Sequence, residues 1–180
     1  MQNIRMILSD VDGVLTDGSI TYDNQGIESK SFHVRDGMGI KLWQRAGHQF
    51  GIITARNSHI VKVRMSELGV ELVRQGVEEK FTAVKSIVEQ LGMTLDEICY
   101  IGDDLTDLRL IKSVGLGASV ADGAEDVRKA AHVVTKLAGG KGAVRELVEA
   151  ILKHQKRWDE LLGSYAVSYT HLTLPTTPYV

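Results

Sequence analysis

Six short apolar runs, at residues 4–8, 49–54, 71–74, 98–101, 116–119 and 132–134, alternate along the chain with segments of helical periodicity. The helical segments lie at 37–46, 58–68, 79–91, 106–113, 124–130 and 143–154. Parallel neighbours in a sheet need a crossover between them, and a helix supplies one. This rhythm therefore predicts an α/β fold, a doubly wound, mostly parallel, Rossmann-like sheet with helices on both faces. Such sheets place their working crevice at the carboxyl ends of the strands. The residues at those ends decide what the chain can do.

The first run ends in Asp10-Val11-Asp12-Gly13, two acids one residue apart and then a glycine. Carboxylates held so close repel and lose hydration, which a cation or a proton-transfer role offsets. A polar turn after a strand fits the same residues read alone. The fourth run ends in Gly102-Asp103-Asp104, with Asp107 four residues after Asp103. If a helix begins near Leu105, these acids lie beside its positive end, and capping accounts for Asp104 and Asp107 equally well. The second run ends in Thr54-Ala55-Arg56, and Lys80 stands at the start of the third helical segment. Singly, these are an ordinary strand-end hydroxyl and an ordinary solvated lysine.

Taken in order, the series D-x-D-G, Thr, Lys, G-D-D-x-x-D resembles the haloacid dehalogenase-like phosphohydrolases, over most of the chain. The segments Lys30-Ser31-Phe32-His33-Val34-Arg35-Asp36-Gly37-Met38-Gly39-Ile40-Lys41 and Gly139-Gly140-Lys141-Gly142-Ala143-Val144-Arg145-Glu146 narrow the likeness. Both look like the 3-deoxy-D-manno-octulosonate 8-phosphate phosphatases, small cytosolic enzymes of lipopolysaccharide sugar synthesis. A sister branch acts on a nine-carbon sugar acid phosphate.

The resemblance implies that Asp10 attacks phosphorus to give an aspartyl-phosphate, and that Asp12 is general acid and then general base. It implies Mg²⁺ held by Asp10, the backbone carbonyl of Asp12 and Asp103, an oxygen-only set that disfavours zinc. Thr54, Lys80 and the backbone amides near Gly13 and Ala55 would bind phosphate oxygens, with Asp104 and Asp107 orienting Lys80 and metal-bound water. A sugar acid also needs a cation for its carboxylate. Arg35, Arg56, Lys62 and Arg64 are the candidates, and Arg56 is the best placed, two residues after Thr54. The nine-carbon branch carries an acid at that place, so Arg56 favours the octulosonate; a solvated surface arginine fits it as well. Two other readings compete: a broad small-metabolite phosphatase and a non-enzymatic phosphorylation-switch receiver. Receivers place the acceptor Asp midway along the chain and the paired acids early, which is not the order here.

Residues 19–22 and 27–33, around the turn 23–26, read as a β-hairpin inserted after the first acidic loop. It is too small for a lid, and the intervals between the motifs leave no room for a large cap domain. An active site open to water calls for a neighbour, so a homo-oligomer is expected, and the resemblance suggests a tetramer. The 180 residues suffice for one core, predicted as a single domain over 1–163. The segment 164–180 holds both prolines, and it reads as disordered, cloning-derived or an interface arm. A net charge of −2 argues against a nucleic-acid partner, and the lack of an 18-residue apolar run argues against a membrane span. The start runs directly into the first strand without a signal-peptide pattern, so a cytoplasmic location is expected. The single cysteine, Cys99, cannot form an internal disulfide and reads as a buried thiol.

Overall fold

A computed structural model describes residues 1–166 of the chain. Six parallel strands form one sheet: β1 (Met6–Ser9), β4 (Gln49–Ile53), β5 (Leu72–Arg74), β6 (Ile98–Gly102), β7 (Leu116–Ser119) and β8 (Val133–Val134). Across the sheet they run in the order β5-β4-β1-β6-β7-β8. β2 (Thr21–Tyr22) and β3 (Glu28–Ser29) make the inserted antiparallel hairpin, pairing Thr21 with Ser29 and Tyr22 with Glu28. The helices are α1 (Val34–Arg45), α2 (His59–Glu67), α3 (Lys80–Gln90), α4 (Leu108–Ser113), α5 (Glu125–Ala130), α6 (Ala143–His154) and α7 (Trp158–Ala166). The architecture is the expected doubly wound α/β fold.

Alternation along β1 shows how both faces are covered. Ile7 packs with Trp43 of α1, Met65 of α2 and Leu147 and Ile151 of α6. Its neighbours Met6 and Leu8 point the other way, to Val84 and Ile87 of α3, Ile111 of α4 and Val127 of α5. A strand buried on both faces has to be apolar throughout, and Met6 to Ser9 are all buried. β1 lies between β4 and β6, in registers that bring Ser9 beside Ile52 and Ile101. The residues that follow these strands therefore emerge at one edge. Cys99 is fully buried in this core, and burial pushes its thiol far above the usual range.

Element limits differ from the sequence reading where caps intervene. α1 starts before residue 37, because His33 accepts the Arg35 N–H as an N-cap and Asp36 sits in the first turn. The predicted helix at 106–113 is split into a 3-10 turn, Leu105–Asp107, and α4. α6 stops at Gln155, where Lys156 turns left-handed at φ 60°, and α7 then continues through Gly163 to Ala166. The expected tail boundary at 163 thus falls inside a helix, and the remainder of that segment lies outside the described residues. No helix among the described residues is long and apolar enough to cross a membrane.

Candidate active site

The strand ends bring together residues far apart in sequence. Asp10 follows β1, Thr54 follows β4, Asp103 follows β6, and Lys80 opens α3. Asp10, Thr54 and Lys80 are buried. Lys80 Nζ donates to Asp10 Oδ2 at 2.6 Å and to Asp107 Oδ1 at 2.7 Å. Asp107 has no exposed surface; it also accepts from the Tyr100 hydroxyl at 2.6 Å and from the backbone N–H groups of Asp103 at 3.0 Å and Asp104 at 3.3 Å. Oxygens of Asp10, Asp103 and Asp107 lie within 4.8 Å of one another.

Three carboxylates against one ammonium leave an excess of negative charge in a dry corner. Burial, then repulsion from Asp107, raises the Asp10 carboxyl to about 6 despite the pull of Lys80. Burial, then Asp10 and Asp107, raises Asp103 to about 7. Burial works against the charge of Lys80, but the two acids outweigh it and its ammonium is held above the ordinary lysine range. An oxygen-only donor set of this charge fits a hard divalent cation of the Mg²⁺ type. Gly13 leaves room for the Asp103 carboxylate. With φ at +86°, its missing side chain would overlap the Asp103 carboxylate.

The second acid of the first motif is served by the hairpin. Lys30 Nζ donates to Asp12 Oδ1 and lies 3.4 Å from Glu28 Oε1. Arg56 Nε is 3.5 Å from Asp12 Oδ2, and Arg56 Nη2 donates to Glu28 Oε1 at 3.0 Å and to the Tyr22 hydroxyl at 3.1 Å. The Ser58 hydroxyl donates to Glu28 Oε2 at 2.6 Å. Sequence reasoning passed over Glu28, Lys30 and Tyr100. A signal was available for the first two, since residues two apart on an extended arm share a face.

Other expected residues are placed differently. Asp104 accepts from the Leu105 N–H at 2.8 Å as the cap of the 3-10 turn and makes no hydrogen bond or ion pair with Lys80; of the two acids, Asp107 is the one that contacts it. The Gly13 N–H points to Thr16 Oγ1 at 3.4 Å, and Ala55 is exposed beyond β4. Arg64 pairs with Glu67 at 3.1 Å, and its guanidinium lies 6.0 Å from the centre of the Phe32 ring. Arg35 is exposed in the first turn of α1. Among the described residues neither arginine contacts Asp10, Asp12 or Lys80.

The chain matches the haloacid dehalogenase-like hydrolase family over residues 58–147. It is 43% identical over 155 residues to the 3-deoxy-D-manno-octulosonate 8-phosphate phosphatase KdsC of Haemophilus influenzae, covering 86% of each chain. The crystal structure of 3-deoxy-D-manno-octulosonate 8-phosphate phosphatase from Moraxella catarrhalis in complex with magnesium ion, phosphate ion and KDO aligns with a TM-score of 0.89 at 40% identity, covering 91% of this chain and 94% of that one. The cobalt-bound form of the Haemophilus influenzae phosphatase aligns with a TM-score of 0.84 at 42% identity, over 87% of this chain and 92% of that one.

Proposed function

The chain belongs to the 3-deoxy-D-manno-octulosonate 8-phosphate phosphatases of the haloacid dehalogenase-like hydrolases, and from that premise we propose that it releases phosphate from this eight-carbon sugar acid phosphate with Mg²⁺ as cofactor. The observation that carries the reading is the Asp10–Lys80–Asp107 bridge with Asp103 beside it, at the carboxyl ends of β1 and β6.

Asp10 acts as nucleophile. Its carboxylate oxygen forms a bond to phosphorus as the bond from phosphorus to the sugar oxygen breaks, giving an aspartyl-phosphate. Asp12 gives its proton to the departing oxygen, then takes one from the water that hydrolyses the acyl-phosphate. A phosphate oxyanion about 4 Å from Asp10 costs about 4 kcal/mol per charge pair at an effective dielectric of about 20. Lys80 offsets part of this, and Asp107 keeps its ammonium aimed at Asp10. Asp10, the Asp12 backbone carbonyl and Asp103 would hold Mg²⁺, which would supply positive charge to offset that of the phosphoryl oxygens. Thr54 and the amides near Gly13 and Ala55 position the phosphoryl group. Arg56 binds the sugar carboxylate, exchanging its Glu28 partner for the substrate.

The hairpin leaves Ile20, Tyr22 and Ile27 each at least half exposed, which supports a homo-oligomer, in the family's manner a tetramer, whose neighbouring subunit covers the crevice and offers it Arg35 and Arg64. A charged phosphate ester does not cross a bilayer unaided, which fits action in the cytoplasm. The test is phosphate release from a panel of sugar acid phosphates of eight and nine carbons, with Mg²⁺ and with chelator. Preference for the octulosonate ester, lost on chelation, is expected; equal turnover of all esters would overturn the substrate assignment.

A further inference from the structure

The side chain of Lys30 has no exposed surface, although it stands on a two-stranded hairpin at the molecule's edge. A buried ammonium persists where paired acids neutralise it, and here the acids are Asp12 and Glu28. Glu28 is fixed in turn, since its carboxylate also accepts from the Ser58 hydroxyl. Lys30 is therefore held from behind and presents one face to Asp12.

We propose that Lys30 is the residue that positions Asp12 for proton exchange with the leaving oxygen. A carboxyl group turns about a single bond, so fixing Oδ1 fixes Oδ2. Among the described residues Oδ2 accepts no hydrogen bond; Arg56 Nε lies 3.5 Å away and is a buried donor with no hydrogen-bond partner. Oδ2 is thereby the oxygen through which a proton can be exchanged with the leaving group. As the bond from phosphorus to the sugar oxygen breaks, that proton passes from Oδ2 to the oxygen, and Asp12 is left as the carboxylate that later deprotonates water. A positioned general acid contributes about 10²- to 10⁴-fold, and about 1 Å of misplacement is enough to lose about 10²-fold.

This inference rests on the reading of Asp12 as general acid, and the experiment separates the two. A sugar oxygen leaves poorly unless it is protonated, whereas nitrophenolate leaves readily without a proton. Steady-state kcat/KM is measured with 3-deoxy-D-manno-octulosonate 8-phosphate and with 4-nitrophenyl phosphate for wild type, Asp12→Asn, Lys30→Met and Lys30→Arg. Asp12→Asn and Lys30→Met should both lose about 100-fold or more on the sugar ester and less than about fivefold on the aryl ester, while Lys30→Arg restores the wild-type ratio. A merely structural role for Lys30 would lower both substrates together. If Lys30→Met does not fold, Lys30→Gln carries the same comparison with an amide that still hydrogen-bonds Glu28. A leaving-group bias in Asp12→Asn with none in the Lys30 variants overturns the positioning role; no bias in Asp12→Asn overturns the Asp12 assignment itself.

Discussion

Asp36 Oδ1 accepts the backbone N–H of Arg145 at 2.8 Å, so the first turn of α1 caps the first turn of α6. Asp36 Oδ2 takes the Gly142 N–H at 3.2 Å from the same turn. The two sequence segments that narrowed the family likeness, 30–41 and 139–146, thus meet through one buried carboxylate. Removing it leaves helix-end donors unpaired in a dry place, so Asp36→Ala should destabilise the protein by about 1–3 kcal/mol, and Asp36→Asn by less. Urea unfolding midpoints at constant slope measure this; an Ala variant as stable as wild type would show the cap to be dispensable.

The two acids of the first motif should separate by substitution. Asp10→Asn should abolish phosphate release, and Asp12→Asn should reduce it by about 10²-fold or more on the sugar ester, both with unchanged circular dichroism. Near-normal turnover by a folded Asp10→Asn protein would remove the nucleophile from the mechanism.

Metal removal and pH test the acidic corner together. Activity should vanish with chelator and return with Mg²⁺, and Asp103→Ala should raise the Mg²⁺ requirement by about tenfold or more. In the metal-free chain the Asp10 and Asp103 carboxyls stand raised to about 6 and about 7. A raised acid binds more protons folded than unfolded, so metal-free stability should fall as pH rises through these values. Protons and Mg²⁺ compete for the same oxygens, so the apparent Mg²⁺ affinity should weaken as pH drops from about 8 to about 6. Calorimetric titration at several pH values reads this directly, and a pH-independent affinity would contradict it.

Arg56 should act on substrate choice. Arg56→Ala is expected to raise KM about tenfold for the sugar acid phosphate and less than about threefold for an aryl phosphate lacking the carboxylate. Equal changes on both substrates would leave Arg56 as a strut between Glu28 and Asp12.

Much of this was legible in the chain because it follows from local pattern. Apolar runs of strand length placed Asp10, Thr54 and Asp103 at strand ends. Contacts across distant segments left no such mark. Lys30 and Asp12 are 18 residues apart and meet only because the hairpin folds back over the first loop. Asp104 and Asp107 were indistinguishable as acids near a helix start; the 3-10 turn decides that the second points inward to Lys80 and the first outward. Asp36 carried no mark of its own in the sequence, because the α6 donors that it caps lie more than a hundred residues away.

The hairpin looks two ways at once. Its outer side leaves Ile20, Tyr22 and Ile27 exposed, while its inner side grips Asp12 through Lys30. With only two paired residues in each strand it has little stability of its own. Anything that steadies its outer side also steadies the acid beneath, so in the oligomer proposed above specific activity would become a property of protein concentration: dilution that separates subunits should slow turnover of the sugar ester while the sheet stays folded.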